Sequence, residues 1–286
     1  MPTIIMVLLI IAAVIAILYL FSIAPRIPGH RVPKNFYEYE YAHRGYHNIS
    51  LGIAENSMSA FSRAIERGYA IELDLHLTSD GEVVVFHDDN LKRICGVDSA
   101  IWEHTYEELR QLRLQGTDER IPLFTDVLKL VDGRVPLLIE LKLPTRNMTL
   151  CREAWRILRN YDGPFLIQSF NTFGLRWFRR HAPRIPRGQL SSDLTRERHH
   201  SESKVSYIPC VLGKYLLCNA LGRPDFISYR YSCSHNLSFW LNRKLFRAGS
   251  AVWTIRGEAL REKLATRFDM IIMEEEPTPA LQRAKI

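Results

Sequence analysis

Charged residues interrupt the apolar runs of this sequence at regular places. Glu72 and Asp74 stand inside the run at 70–77, Glu140 and Lys142 close the run at 137–141, and Gln168-Ser169 closes the one at 165–169. His43-Arg44-Gly45 follows the run at 39–43, and His87-Asp88 ends Val83-Val84-Val85-Phe86. Side chains alternate along a strand, so Glu72 and Asp74 share one face, as do Glu140 and Lys142. Carboxylates crowded into one dry cleft repel, and a divalent cation relieves that repulsion. Oxygen-only ligands suit Mg²⁺ or Ca²⁺ better than Zn²⁺. A buried ion network of the same acids with Arg44 and Lys142 is the alternative that the residue types leave open. His43 and His87, at strand ends, can carry protons near neutral pH. His47, His76, His104, His199, His200 and His235 lack such a context and read as surface or hydrogen-bonded side chains.

These residues need a scaffold that brings strand ends together. Eight short β-rich runs, at 39–43, 70–77, 137–141, 165–169, 188–191, 226–229, 250–255 and 270–273, alternate with amphipathic patterns, and a hairpin-like 83–87 follows the second. Helical spacing marks 58–65, 106–114, 124–131, 150–161, 173–181, 237–248 and 258–266, with a longer helix-rich stretch at 194–219. Strict β-α order over about 250 residues predicts a (β/α)₈ TIM barrel, whose chemistry sits at the C-terminal ends of its strands. A doubly wound open sheet fits less well, because Gly45 alone makes no dinucleotide fingerprint.

The chain has 286 residues, 47% apolar and 24% charged, which excludes disorder. It carries 38 basic and 31 acidic side chains, none of them in the first 25 residues. The apolar run at 4–23 is long enough, at about 1.5 Å per helical residue, to cross a bilayer's hydrocarbon core of about 30 Å. A secretory signal would carry a basic start and a small-residue cleavage site, and neither is present. The expected organisation is a transmembrane anchor at 1–25, a basic juxtamembrane stalk at 26–35 and one barrel domain at 36–286. Arg26, Arg31 and Lys34 after the helix predict a single-pass cell-membrane protein with a cytoplasmic catalytic domain. Five cysteines without metal-type spacing read as reduced thiols, in keeping with that side. Residues 171–200 hold seven arginines against Asp193 and Glu197, a solvated face or one that rests on anionic lipid. No nucleic-acid recognition motif is present, and oligomeric state is not legible.

The ordered series His43-Arg44-Gly45, Glu55-Asn56, Glu72-Leu73-Asp74, Thr78-Ser79-Asp80-Gly81 and His87-Asp88 resembles the glycerophosphodiester phosphodiesterase family. It continues through Leu91-Lys92-Arg93, Ile121-Pro122, Ile139-Glu140-Leu141-Lys142, Gln168-Ser169-Phe170 and Val252-Trp253-Thr254, spanning 40–277. The resemblance implies a TIM barrel and metal-dependent hydrolysis of a glycerophosphodiester to glycerol 3-phosphate and an alcohol. It implies Glu72, Asp74 and Glu140 as metal ligands and His43 and His87 as catalytic histidines. Arg44 would face the phosphate, with Glu55 and Lys142 in the same polar site and Gln168 beside it. Such cleavage needs phosphate charge neutralised, which a metal, Arg44 and Lys142 can do, and a proton for the departing alkoxide. His43 is assigned as base and His87 as acid.

Trp253 is either core or a wall for a glycerol or choline group. Departures from the family pattern fall at Ala54, at Ile255-Arg256 and at Met273-Glu274-Glu275-Glu276-Pro277, where Arg256 would select an anionic headgroup or pair with Glu275. Two rival functions are a lipase-type phosphodiesterase acting on lyso- or intact phospholipids and a non-catalytic membrane-anchored binding protein. The first would use 211–221 as an exposed lid, although its spacing favours a buried helix.

Overall fold

The computed structural model describes residues 2–27, 32–198 and 206–275; Arg31, His199, His200, Glu276 and Pro277, named above, lie outside the described residues. Its strands are β1 (Tyr41–Ala42), β2 (Ala70–Leu77), β3 (Val83–Val85), β4 (Leu137–Leu141), β5 (Phe165–Ser169), β6 (Arg187–Ser191), β7 (Phe226–Arg230), β8 (Gly249–Ile255) and β9 (Met270–Met273). All but β3 are parallel neighbours, and β1 pairs with both β2 and β9, closing a TIM barrel of eight strands. The β3 strand is an antiparallel flap on the end of β2, with Leu77 opposite Val83.

Side-chain alternation divides each strand between two cores. Ile71, Leu73, Leu75, Ile139 and Ile167 face outward and join Phe124, Val127, Leu128, Leu150 and Phe178 from the covering helices. The other parity faces inward. Its lower layers are apolar, with Tyr41, Ala70, Leu138, Leu166, Phe226 and Met270 packed together over Val32 and Phe36 as a plug in the barrel floor. Gly188 makes room for that plug, because a Cβ there would sit 2.2 Å from the Phe226 ring. Further along the same parity the strands turn polar. Asp74 is paired with Glu140, and Glu140 with Gln168, in the parallel register. A polar upper layer above an apolar plug is what puts a reactive cleft at the strands' C-terminal ends.

The helix expected at 106–114 is shorter than its apolar spacing suggests, and the helix-rich 194–219 stretch is divided. The 106–114 pattern yields one turn, Tyr106–Leu109, because Gln115 and Gly116 adopt positive φ and Arg113 pairs back on Arg120. Leu109 and Leu114 are buried all the same, in a satellite core with Phe86, Ile94 and Ile101. In the 194–219 stretch the described helices are Leu194–Glu197 and Tyr207–Lys214, with Asn219–Gly222 after them. Leu216, at φ 57°, breaks the run between the last two. The 211–221 segment is therefore neither one buried helix nor a continuous lid: Leu216 is fully buried, while Leu212 and Tyr215 are each 40% exposed.

The N-terminal helix spans Pro2–Ile23, and Thr3–Ile23 is long and apolar enough to cross a membrane. Its large side chains from Ile4 to Leu18 face away from the barrel. Its end is held firmly: Ile23 is fully buried, Asn219 Nδ2 donates to the Ile23 carbonyl at 2.9 Å, and the Tyr19 and Ser238 hydroxyls lie 2.8 Å apart.

Candidate active site

A cleft of about 370 Å³ opens at the barrel mouth, lined by His43, Arg44, Glu55, Glu72, His87, Glu140, Lys142, Gln168 and Trp253 among others. Asp74 lies beneath, bonded to Asn56 Nδ2 at 2.9 Å and 3.0 Å from Lys142 Nζ. All the site residues expected from the sequence thus meet in one place. Strand ends supply most of them; Arg44 and Glu55 come from the loop after β1. The turn His43-Arg44-Gly45 has positive φ at Arg44 (56°) and Gly45 (77°), so the chain doubles back. Gly45 then presses on helix Met58–Glu66, where a Cβ would come within 2.8 Å of Ala60 Cβ. This turn brings Arg44 NH1 to Glu55 Oε1 at 2.6 Å and its backbone N–H to Glu72 Oε2 at 3.1 Å.

Glu72, Asp74 and Glu140 each place a carboxylate oxygen within 4.8 Å of the others, and all three are buried. Their environments differ. Burial would raise Asp74, but Lys142, His87, Arg44 and the Asn56 bond pull it well below the usual carboxylate range. Burial, reinforced by Asp74 and Glu140, pushes Glu72 well up. Burial likewise raises Glu140 to about 7, against the pull of Lys142 at 2.6 Å. Both readings of the acids hold at once: there is an ion network with Lys142 and Arg44, and it leaves two carboxyls that favour a proton. A divalent cation fits such a donor set, since it can displace those protons and every donor is a hard oxygen. Gln168 Oε1, buried here without a hydrogen-bond partner, supports the same fit.

Each expected histidine has a carboxylate on Nδ1. His43 Nδ1 is 2.6 Å from Glu274 Oε1, and His87 Nδ1 is 2.5 Å from Asp88 Oδ1. Such a bond holds the proton on Nδ1 and frees Nε2. Burial lowers His43, with Glu274 opposing and Arg44 assisting. Burial and Lys142 lower His87 to about 4 despite Asp74 and Asp88. Both imidazoles are therefore neutral at pH 7. The carboxylates are anchored in turn. Arg93 reaches Asp88 Oδ2 through Nε at 2.6 Å and both oxygens of Glu55 at 2.8 Å. Burial would raise Glu55, but Arg93 and Arg44 hold it at about 2.

Several site residues have roles that the sequence did not disclose. Glu274 entered only as a departure from the family pattern, yet it holds His43. Arg256 pairs with Glu274, not with Glu275; Glu275 binds Arg63 at 2.6 Å and Asn48 at 3.1 Å. His47, expected to be a bystander, lines the cleft, and its surroundings include the charges of Glu274 and Glu55. His76 is buried, its Nε2 3.3 Å from the His87 carbonyl. Trp253 is at the mouth, edge-on to Phe170 at 5.9 Å, with the Arg230 guanidinium 5.4 Å from its ring. Strand parity was the unused signal for Arg230 and Glu274: each follows Phe226 or Met270 by an even number of positions.

Comparison with known proteins follows this geometry. A model of the glycerophosphoryl diester phosphodiesterase family matches residues 43–222. The chain is 30% identical over 161 residues to a glycerophosphodiester phosphodiesterase of Caldanaerobacter subterraneus, covering 52% of this chain and 65% of that one. It is 32% identical over 151 residues to human lysophospholipase D GDPD1, covering 48% of this chain and 46% of that one. It thus spans less than two thirds of the length of these curated relatives. The fold is shared with an Oleispira antarctica phosphodiesterase solved in complex with the product sn-glycerol-3-phosphate (TM-score 0.66, 24% identity, 82% of this chain and 92% of that one). The family match runs from the His43 turn past β6, through every strand that carries the three acids and the hairpin that carries His87, so the chain belongs to the glycerophosphoryl diester phosphodiesterase family.

Proposed function

We propose that this chain hydrolyses glycerophosphodiesters to glycerol 3-phosphate and an alcohol. The observation that carries this reading is the pairing of two carboxylate-held imidazoles with three clustered acids in one cleft. The family membership and the names of the relatives support it. Glu72, Asp74 and Glu140 would hold one divalent cation, Mg²⁺ or Ca²⁺, which when bound supplies positive charge to the phosphate's non-bridging oxygens. Arg44 and Lys142 add fixed positive charge in a buried site, where it needs no reorganisation during reaction. Glu55 and Gln168 border the same phosphate position, and Trp253 walls the leaving group.

His43 Nε2 takes the proton of the attacking hydroxyl, and Glu274 stabilises the imidazolium that forms. His87 takes up a proton as the anionic diester binds, against the burial and the Lys142 charge that lower its pKa, and delivers it to the departing alkoxide as its bond to phosphorus breaks. The attacking oxygen comes from water or from the glycerol 2-hydroxyl, and trapping a cyclic glycerophosphate selects the second. Turnover of glycerophosphocholine and glycerophosphoethanolamine that EDTA abolishes is the expected result. EDTA-insensitive turnover would overturn the metal assignment, and no turnover of any diester would favour the binding protein.

The membrane reading belongs to the same proposal. Residues 1–25 anchor the chain, 26–35 form a short link whose Val32 packs under the barrel, and 36–286 form the catalytic domain, facing the cytoplasm. Labelling of Cys95 or Cys233, both partly exposed, by an impermeant thiol reagent in intact cells would reverse that orientation. A second substrate class, lysophospholipids, is favoured by the human relative and the apolar helix. Release of free choline from lysophosphatidylcholine would establish it.

A further inference from the structure

A second cavity, of about 580 Å³, lies at the barrel floor where the N-terminal helix ends. Leu20, Phe21 and Ala24 form its apolar wall, and Arg26, Arg179 and Arg223 are basic groups around it. They come from distant parts of the sequence and are fixed by backbone carbonyls. Arg223 NH1 donates to the Phe21 and Ala24 carbonyls at 3.0 and 2.9 Å, and Arg179 NH1 donates to the Leu221 carbonyl at 3.1 Å. Arg26 takes Asp225 at 3.0 Å. Arg179 and Arg223 have no carboxylate partner among the described residues, so positive charge accumulates here. Burial and the neighbouring Arg179 charge both pull Arg223 down.

The arginine-rich 171–200 stretch is thereby redistributed. Arg187 is fully buried at the start of β6, while Arg196 follows that strand's other end. The seven arginines do not share one face, but Arg179 and the buried Arg187 join Arg26 and Arg223 around the cavity at the helix end. That level matters physically: an apolar helix that spans a bilayer ends where lipid phosphates lie. The arginine carbonyl bonds and the buried Ile23 hold helix and barrel together, so the cavity is a built feature.

We propose that this cavity binds the phosphate headgroup of an anionic phospholipid, with Arg179 and Arg223 on the phosphate and the acyl chains along the exposed flank of the N-terminal helix. The inference rests on that helix being the membrane anchor. It adds a specific lipid site that would fix the barrel's orientation on the bilayer.

The test uses the full chain in neutral detergent, titrated with short-chain phosphatidylglycerol, short-chain phosphatidylcholine and inorganic phosphate, with heat of binding and melting temperature as readouts. Phosphatidylglycerol should bind at one per chain and raise the melting temperature, and the other two should bind at least tenfold more weakly. Losing about fivefold per arginine, the double variant Arg179→Gln/Arg223→Gln should bind roughly 25-fold more weakly. Its turnover of a soluble glycerophosphodiester should be unchanged, since neither residue borders the catalytic cleft. If the double variant misfolds, Arg179→Gln alone should still show the fivefold loss. Equal binding of both lipids, no effect of the variants, or free phosphate binding as tightly as phosphatidylglycerol would each overturn the lipid site. Carbonate extraction of membranes tests the anchor separately: release of the full chain refutes the anchor, whereas the detergent titration reports the cavity.

Discussion

The bond between His43 and Glu274 offers the sharpest test of the proposed chemistry. At 2.6 Å, with both side chains only 12% exposed, it is a charge-assisted hydrogen bond in a site largely shielded from water. Burial would raise the Glu274 carboxyl, yet the bonds to His43 and Arg256 hold it at about 2. Glu274→Gln keeps the size and an acceptor oxygen but removes the charge. A charge-assisted bond of this kind contributes about 2–3 kcal/mol. If His43 becomes cationic in the transition state, that energy is lost there and not in the substrate complex, so kcat should fall roughly 30- to 150-fold with KM little changed. The direction of the pH effect follows from the same charge. The carboxylate favours protonated His43, so its removal lowers the His43 pKa and moves the acid limb of kcat/KM to lower pH. Arg256→Gln strips Glu274 of its other partner and leaves the His43 bond, so it should cost less than about fivefold. The assay is steady-state hydrolysis of glycerophosphocholine across pH, with melting curves as the folding control. A Glu274→Gln enzyme within about threefold of the parent at every pH, with an unmoved acid limb, would refute the role given to His43.

Other outcomes follow from the acids and the turns. Glu72→Gln or Glu140→Gln should lower turnover by at least about 10³-fold, as EDTA does, with calorimetry showing weaker Mg²⁺ or Ca²⁺ binding. Glu140 sits near 7 and Glu72 is also raised, so their contribution to metal-free stability is present at low pH and lost as pH rises from about 4.5 through about 7. The rise in melting temperature on adding the cation should therefore be larger at pH 8 than at pH 5, and an equal rise at both would count against the cluster. Glu274 behaves oppositely: its stabilising contribution is present above its ordinary 4.5 and lost as pH falls toward about 2. The gap in melting temperature between the parent and Glu274→Gln should narrow over that window. Gly45→Ala adds a Cβ 2.8 Å from Ala60 Cβ at φ 77°, which should cost about 2–4 kcal/mol in urea unfolding.

Much of the architecture was legible because it is local. Predicted and observed strands coincide at 70–77, 137–141, 165–169 and 270–273, since strand runs bounded by turns declare themselves in composition. Helix Phe124–Val131 also matches its apolar spacing. The 106–114 helix shrank to one turn, because apolar spacing of three and four is equally satisfied by a short turn tucked into a satellite core. In the site, residue types that interrupt apolar strands located the acids. His47 was read as a bystander because Glu274, one of its charged neighbours, is remote in sequence, and Arg256, read as a headgroup selector or a partner of Glu275, pairs with Glu274 because the fold decides which of two adjacent carboxylates faces it.

By itself the sequence determined the order of strands, the face each acid would occupy and the family to which the chain belongs. The first two depend on alternation and spacing within a few residues, and the third on the order of short motifs along the chain. Only the tertiary structure decided who pairs with whom: Glu274 with His43 and Arg93 with both Glu55 and Asp88 at the mouth, and Arg223 with the end of the N-terminal helix at the barrel floor. Closing the barrel sets these distances, and electrostatic energy depends on distance and burial, neither of which adjacent residues encode.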